Sequence, residues 1–268
     1  MTDIKNQINA IMKRVRTKGE LPASATVVKQ AFERLGYVSG QISSEEILAN
    51  FNNTLRKVWE ESLVVLEEHE ERSYAKGIPS ELAEHYPREL EKAESVAEMR
   101  GFREGMIQLF ELWYPMLRRC FLSVSQSRKQ RGGKDFELQI EQLFELVHIP
   151  YHKQETQNRT DLILPDLKTH IQNRTASAIV SVKRTLRERW AEVAEELFNL
   201  RSPNVFLFTA DEEVTARHVS RICGDYNIHL VVWDAVKSGK YPDEPLVLGY
   251  TAWVGERLTL LRQRWPKP

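Results

Sequence analysis

Apolar residues recur at intervals of three and four through the first half of the chain, then gather into short runs between helical stretches in the second half. Ser43 and Glu46 form a capping-box pattern ahead of a stripe of Leu48, Phe51, Leu55 and Val58, which predicts a long helix. The helix runs on into residues 67–73, where glutamates surround His69 and the segment is too polar for a core. Pro87 suits the first turn of a second helix that continues through Leu90 and Val96, with Gly101 and Gly105 as candidate breaks. Residues 106–117 are the most apolar stretch of this half and predict a buried helix that ends or kinks near Pro115.

Further on, Phe136, Ile140, Leu143, Phe144 and Val147 keep helical spacing and leave Glu137 and Glu141 on one edge. Residues 149–151 begin an extended segment, and residues 160–165 read as a strand with Asp161 near its start. The run 178–182 predicts a buried strand that delivers Lys183 at its carboxyl end, before Trp190, Val193, Leu197 and Leu200 recur at helical spacing. Residues 204–209 and 229–233 are further strands, 212–222 is helical, and the tail 251–265 is amphipathic through Val254, Leu258 and Leu261. This alternation specifies an α/β fold, a mixed central sheet flanked by helices, behind a helical N-terminal region that ends near residue 115.

Charge sharpens the picture locally. Lys+Arg and Asp+Glu are equal at 38 each, so any surface for a polyanion must be a cluster rather than a global excess. Between Leu112 and Lys134 there is no acidic residue, and Gln126, Arg128, Lys129, Gln130, Arg131 and Lys134 form a polar, glycine-interrupted stretch suited to phosphates and base edges. It is not a Walker loop, because Gly132-Gly133-Lys134-Asp135 lacks the spacing and the hydroxyl residue. Cys120 and Cys223 lack CxxC spacing and read as buried fillers, and His148 and His152 are separated by Ile149-Pro150, which excludes an HExxH zinc site. No stretch has the length of a membrane span and the first residues lack a signal-peptide apolar region, so a cytoplasmic protein is expected.

A lysine ending a buried strand packs poorly, and Lys183 is followed by Arg187, Glu188, Arg189 and Glu196. With Asp161 on the preceding strand, the set can hold a divalent cation through Asp161 and Glu196 and leave Lys183 to stabilise charge on a phosphate. Asp166 is a rival first acid, although the proline before it suits the end of the strand.

Asp161 followed by Ser181-Val182-Lys183 resembles the motif of PD-(D/E)xK nucleases, in the variant where Ser or Thr replaces the second acid and a glutamate of the next helix, here Glu196, supplies the carboxylate. Lys183 with Arg187-Glu188-Arg189 further resembles the signature of type II restriction endonucleases that cut CCGG-, CCWGG- or CCNGG-type sites. The resemblance implies a restriction-endonuclease-like fold, with a nuclease core over 116–268 and residues 1–115 serving DNA contacts or dimerisation. It implies Mg2+ as cofactor, double-stranded DNA as partner, a homodimer, and a DNA methyltransferase as a genetic rather than physical partner. Glu137, or else Glu141, becomes the helix carboxylate that supports the catalytic metal site. Arg187, Glu188 and Arg189 become the readers of the CC/GG bases, consistent with guanine O6/N7 as acceptors for arginine and cytosine N4 as a donor to glutamate. Gln126 and Gln130 become further base contacts, Arg128, Lys129, Arg131 and Lys134 backbone contacts, and Trp59 a platform for an extruded base. Two other readings use the same residues: a nuclease that recognises branched DNA structure, and a non-catalytic DNA-binding protein with structural acids.

Overall fold

The computed structural model describes residues 2–153, 161–186, 190–200 and 202–266. Six strands form one sheet in chain order: β1 (His152–Lys153), β2 (Leu162–Leu164), β3 (Ala178–Lys183), β4 (Val205–Thr209), β5 (His229–Val232) and β6 (Val247–Gly249). The β1–β2 and β2–β3 pairs are antiparallel, while β3 through β6 run parallel. The parallel strands are almost continuously apolar, and β4 is buried along its whole length, as a sheet covered on both faces requires. The predicted mixed α/β sheet is therefore present; β1 falls in the extended segment expected from 149–151 onward, and β6 is an additional short strand.

Helices are α1 (Thr2–Lys18), α2 (Ser24–Arg34), α3 (Ser44–Ala49), α4 (Phe51–His85), α5 (Pro87–Arg100), α6 (Phe102–Leu146), α7 (Leu167–Gln172), α8 (Trp190–Asn199), α9 (Ala216–Val219), α10 (Asp234–Lys240), α11 (Tyr250–Ala252) and α12 (Thr259–Arg262). Two π-helical turns, Ser220–Asp225 and Trp253–Leu258, extend α9 and join α11 to α12. Ser43 caps α3 by accepting from the Glu46 N–H at 3.1 Å, and Pro87 opens α5, as their sequence positions predict.

The chain forms two compact units, each drawn from two stretches: Met1–Val27 with Leu63–Arg131, and Val28–Ser62 with Gly132–Pro268. The expected boundary near 115 differs from this division, because α6 runs through it and residues 116–131 cluster with the first unit.

In the first unit Ile8, Ile11, Met12, Val15, Tyr74, Ile78, Leu82, Trp113, Met116 and Cys120 form the core. Three expectations change here. Glu70 is buried after all, because Arg128 donates to its Oε2 through Nε at 2.5 Å and again through Nη2. The helix does not stop at Pro115, and Gly105 lies inside it: a Cβ there would collide with the Ala97 Cβ, so the glycine permits close approach of α5 to α6. Finally, 106–117 is not uniformly buried, since Trp113 and Met116 face the core while Ile107, Phe110 and Tyr114 are exposed.

In the second unit Phe51, Leu55 and Val58 from α4 join Phe136, Ile140, Leu143 and Phe144 from α6 against the sheet. Trp253 stacks on Phe144 with centroids 5.7 Å apart and meets Phe208 edge-on at 4.7 Å. Residues 28–62, expected within a separate N-terminal region, thus build the wall against which the sheet-facing part of α6 packs.

Candidate active site

The antiparallel register sets Leu162 opposite Val180, and the Asp161 N–H donates to the Val180 carbonyl at 3.1 Å, so Asp161 extends β2 alongside Ser181. Its Oδ2 accepts three hydrogen bonds, from Ser181 Oγ at 3.1 Å, the Val182 N–H at 2.5 Å and Lys183 Nζ at 3.0 Å. Lys183 also donates to the Val182 carbonyl at 3.0 Å. The two strand ends predicted to carry the acid and the lysine therefore meet. Ser181, fully buried at the position of the motif's second acid, donates its hydroxyl to Asp161.

Glu137 on α6 belongs to the same group. Burial, and next the negative charge of Asp161, push its carboxyl above the ordinary range, with Lys183 and Lys134 opposing. Lys134 pairs with it at 3.3 Å. Glu141, the rival, is held by Lys153 at 2.7 Å, and Asp166 caps α7 by accepting from the Thr169 N–H at 2.8 Å and its hydroxyl at 2.9 Å. Hydrogen bonds from Thr169 lower the Asp166 carboxyl below its usual range, the signature of a structural cap. Two carboxylates whose mutual repulsion is felt, with Asp161 Oδ1 in no hydrogen bond among the described residues, are an oxygen donor set that suits a hard divalent cation.

The remaining predicted residues divide. Glu196 lies on α8 and is partly buried; Arg187, Glu188 and Arg189 lie outside the described residues, between Leu186 and α8. The glycine-interrupted stretch 125–134 is continuous helix within α6. Gln126, Lys129 and Gln130 are exposed, whereas the Arg128 guanidinium is committed to Glu70 and Glu67, and Arg131 donates to the Pro22 carbonyl at 2.8 Å. Trp59 is half-buried, its ring 6.2 Å from that of Trp233, which the Arg56 guanidinium overlies at 4.6 Å.

Two residues at the site escaped sequence reasoning. Asp211, just past β4, accepts from the Leu186 N–H at 2.8 Å and from the Glu213 N–H at 2.9 Å, fixing the backbone one residue before Arg187. Arg184 packs on Gly132, where a Cβ would collide with its Nη1. Gly132, one of the glycines that interrupt the basic stretch, is a seat for this guanidinium, whereas a Cβ at Gly133 would meet nothing within 4 Å; the parallel pairing of 178–183 with 204–209 is the signal that points to Asp211.

A mixed sheet that brings an acid and a lysine together on adjacent strand ends, beneath a helix carboxylate, is the restriction-endonuclease-like fold. Residues 116–246 match the family model described as EcoRII C terminal. Over 153 residues the chain is 29% identical to the type II restriction enzyme SsoII of Shigella sonnei, an alignment taking in 53% of this chain and 50% of that enzyme. The chain thus spans about half the length of this curated relative. Metal-depleted Ecl18kI in complex with uncleaved DNA superposes with a TM-score of 0.82 at 22% identity, over 98% of this chain and 87% of that one. The restriction endonuclease PspGI in its substrate DNA complex gives a TM-score of 0.59 at 17% identity, over 91% and 94%.

Proposed function

We propose that the protein is a Mg2+-dependent, site-specific endonuclease of the type II restriction kind, cutting double-stranded DNA at a short palindromic CC…GG site. The observation that carries this reading is the Asp161–Lys183 pair at 3.0 Å with Glu137 drawn close enough to feel the charge of Asp161. Asp161 and Glu196 would hold the cation, with Glu137 in support; once bound, it lowers the pKa of water and neutralises charge developing on the phosphate. Lys183, held by Asp161, presents its ammonium to the scissile phosphate or the attacking water.

Arg187, Glu188 and Arg189 read the CC/GG bases, and exposed Lys129, Lys134, Gln126 and Gln130 are available for DNA contacts. A palindrome calls for a symmetric homodimer, and the first unit offers a surface for one. Phe102, Met106, Phe110 and Tyr114 recur every four residues along α6 and remain exposed, Phe102 at 78% and Tyr114 at 64%.

The test is digestion of plasmids of known sequence with purified protein and Mg2+, followed by sequencing of the ends. Discrete fragments sharing a CC…GG site are expected. Cutting of branched DNA without a fixed sequence, or binding without cutting, would refute the proposal.

A further inference from the structure

Within the second unit, the amino ends of the parallel strands lie away from Lys183, which ends β3. There, Asn204 ahead of β4 and His229 at the start of β5 meet Arg257 and Arg264 of the C-terminal helical segment over a floor of Phe206 and Leu261. The cavity measures about 80 Å³, and since about 10–15 Å³ of such volume holds one water, it has room for several waters or one tetrahedral oxyanion.

Its walls are cationic and under-satisfied. Arg257 has no carboxylate and no hydrogen-bond partner among the described residues, and Arg264 spends one nitrogen on the Thr175 carbonyl at 3.3 Å. His229 Nδ1 is buried with no hydrogen-bond partner among the described residues. Burial, and next the Arg257 charge, depress the imidazole pKa, with the Val205 backbone opposing. Asn204 is fixed by donating to the Thr175 and Ser177 carbonyls at 3.1 and 2.9 Å, so this wall is rigid. Two guanidiniums without a carboxylate among the described residues, beside a buried imidazole on a concave site, make an electrostatic sink for negative charge. A phosphate suits it, because guanidinium forks match its oxygens.

We infer that this pocket is a phosphate-type oxyanion site, formed by Arg257 and Arg264 with His229, separate from the proposed catalytic centre. The ligand is a free phosphate ion or a backbone phosphate of DNA, which share the recognised chemistry.

Calorimetric titration of the full chain with inorganic phosphate at low ionic strength tests it, comparing wild type with Arg257→Gln and with Arg257→Ala/Arg264→Ala. Arg257 is half-buried and Arg264 exposed, and a thermal melt verifies that each variant is folded. Saturable binding by wild type, weakened at least about tenfold in Arg257→Gln, is expected from the loss of a charge-assisted contact. Arg262→Ala, whose guanidinium donates to the His148 carbonyl instead, should bind as wild type does. No saturable binding, or equal binding by wild type and the folded Arg257→Gln, overturns the assignment. A second arm uses a duplex lacking any CC…GG site. Weaker duplex binding with a salt slope reduced by about one in Arg257→Gln assigns the site to DNA backbone, whereas unchanged duplex binding beside lost phosphate binding assigns it to the free ion. Neither arm reads cleavage, so the result stands apart from the proposed endonuclease activity.

Discussion

Replacement of Asp161 separates its structural work from its proposed chemistry. Its Oδ2 accepts from Ser181 Oγ, the Val182 N–H and Lys183 Nζ. The carboxamide introduced by Asp161→Asn would keep an oxygen for the neutral donors and lose the charged bond to the ammonium. A charged hydrogen bond contributes about 1.5–3 kcal/mol and a neutral one about 0.5–1.5. Lys183 is 28% exposed and can be partly rehydrated, so Asp161→Asn should cost about 1–2 kcal/mol. Asp161→Ala strands all three donors, the buried strand amide among them, and should cost about 3 kcal/mol. At about 2–4 °C per kcal/mol for chains of this size, melting should fall by about 2–8 °C for the asparagine variant and about 6–12 °C for the alanine variant. Both variants should lack DNA cleavage under conditions where the folded protein persists. Melting of Asp161→Ala at the wild-type temperature would refute the hydrogen-bond account, and wild-type cleavage by folded Asp161→Asn would refute the catalytic one.

Other expectations follow from neighbouring groups. The Glu137 carboxyl is raised above its ordinary 4.5, so the folded state holds its proton longer than the unfolded chain, and stability falls as pH rises from that value through the folded one. Glu137→Gln should therefore raise the melting temperature at pH 7–8, give little change below about pH 4, and reduce cleavage; destabilisation at pH 7–8 would contradict the burial and charge argument. Asp211→Ala releases the Leu186 N–H, and should reduce discrimination between cognate and near-cognate sites, as is also expected of Arg187→Ala, with a smaller loss of single-turnover rate than at Asp161. Selectivity equal to wild type would show that the Asp211 contact does not position the recognition segment. Phe110→Ser with Tyr114→Ser should lower the mass measured by light scattering from dimer to monomer, and an unchanged mass would exclude that face as the interface.

The sheet and the pair of chemical groups at its edge were legible because they depend on short-range pattern: apolar runs of strand length, an acid beginning one and a lysine ending the next. Helical spacing put Glu137 and Glu141 on one edge of a helix, and the family resemblance, not the spacing, set Glu137 ahead. What stayed hidden depends on partners distant in sequence. Burial of Glu70 follows only from Arg128, which lies 58 residues away, and Asp211 matters because a parallel register brings it beside Leu186. The exposed face of α6 looked like core because an apolar side chain carries no mark of whether another chain or its own chain covers it. Strand β6, of three residues, is too short for any periodicity to register.

The three bonds accepted by Asp161 also bear on how such a site decays. If the proposed function holds, a descendant released from the need to cut DNA would still retain this acid by selection for folding, because it satisfies the Val182 amide and the Ser181 hydroxyl at the carboxyl end of β3. Glu137 has the opposite standing: half-buried and raised, it lowers the stability of the folded state above its ordinary range, and under the proposed function its part in cleavage is the reason to keep it. Under the proposed function, an intact Asp161 in a sister sequence is thus poor testimony to activity, while loss of the helix glutamate would be the earlier sign of an enzyme becoming a binding protein.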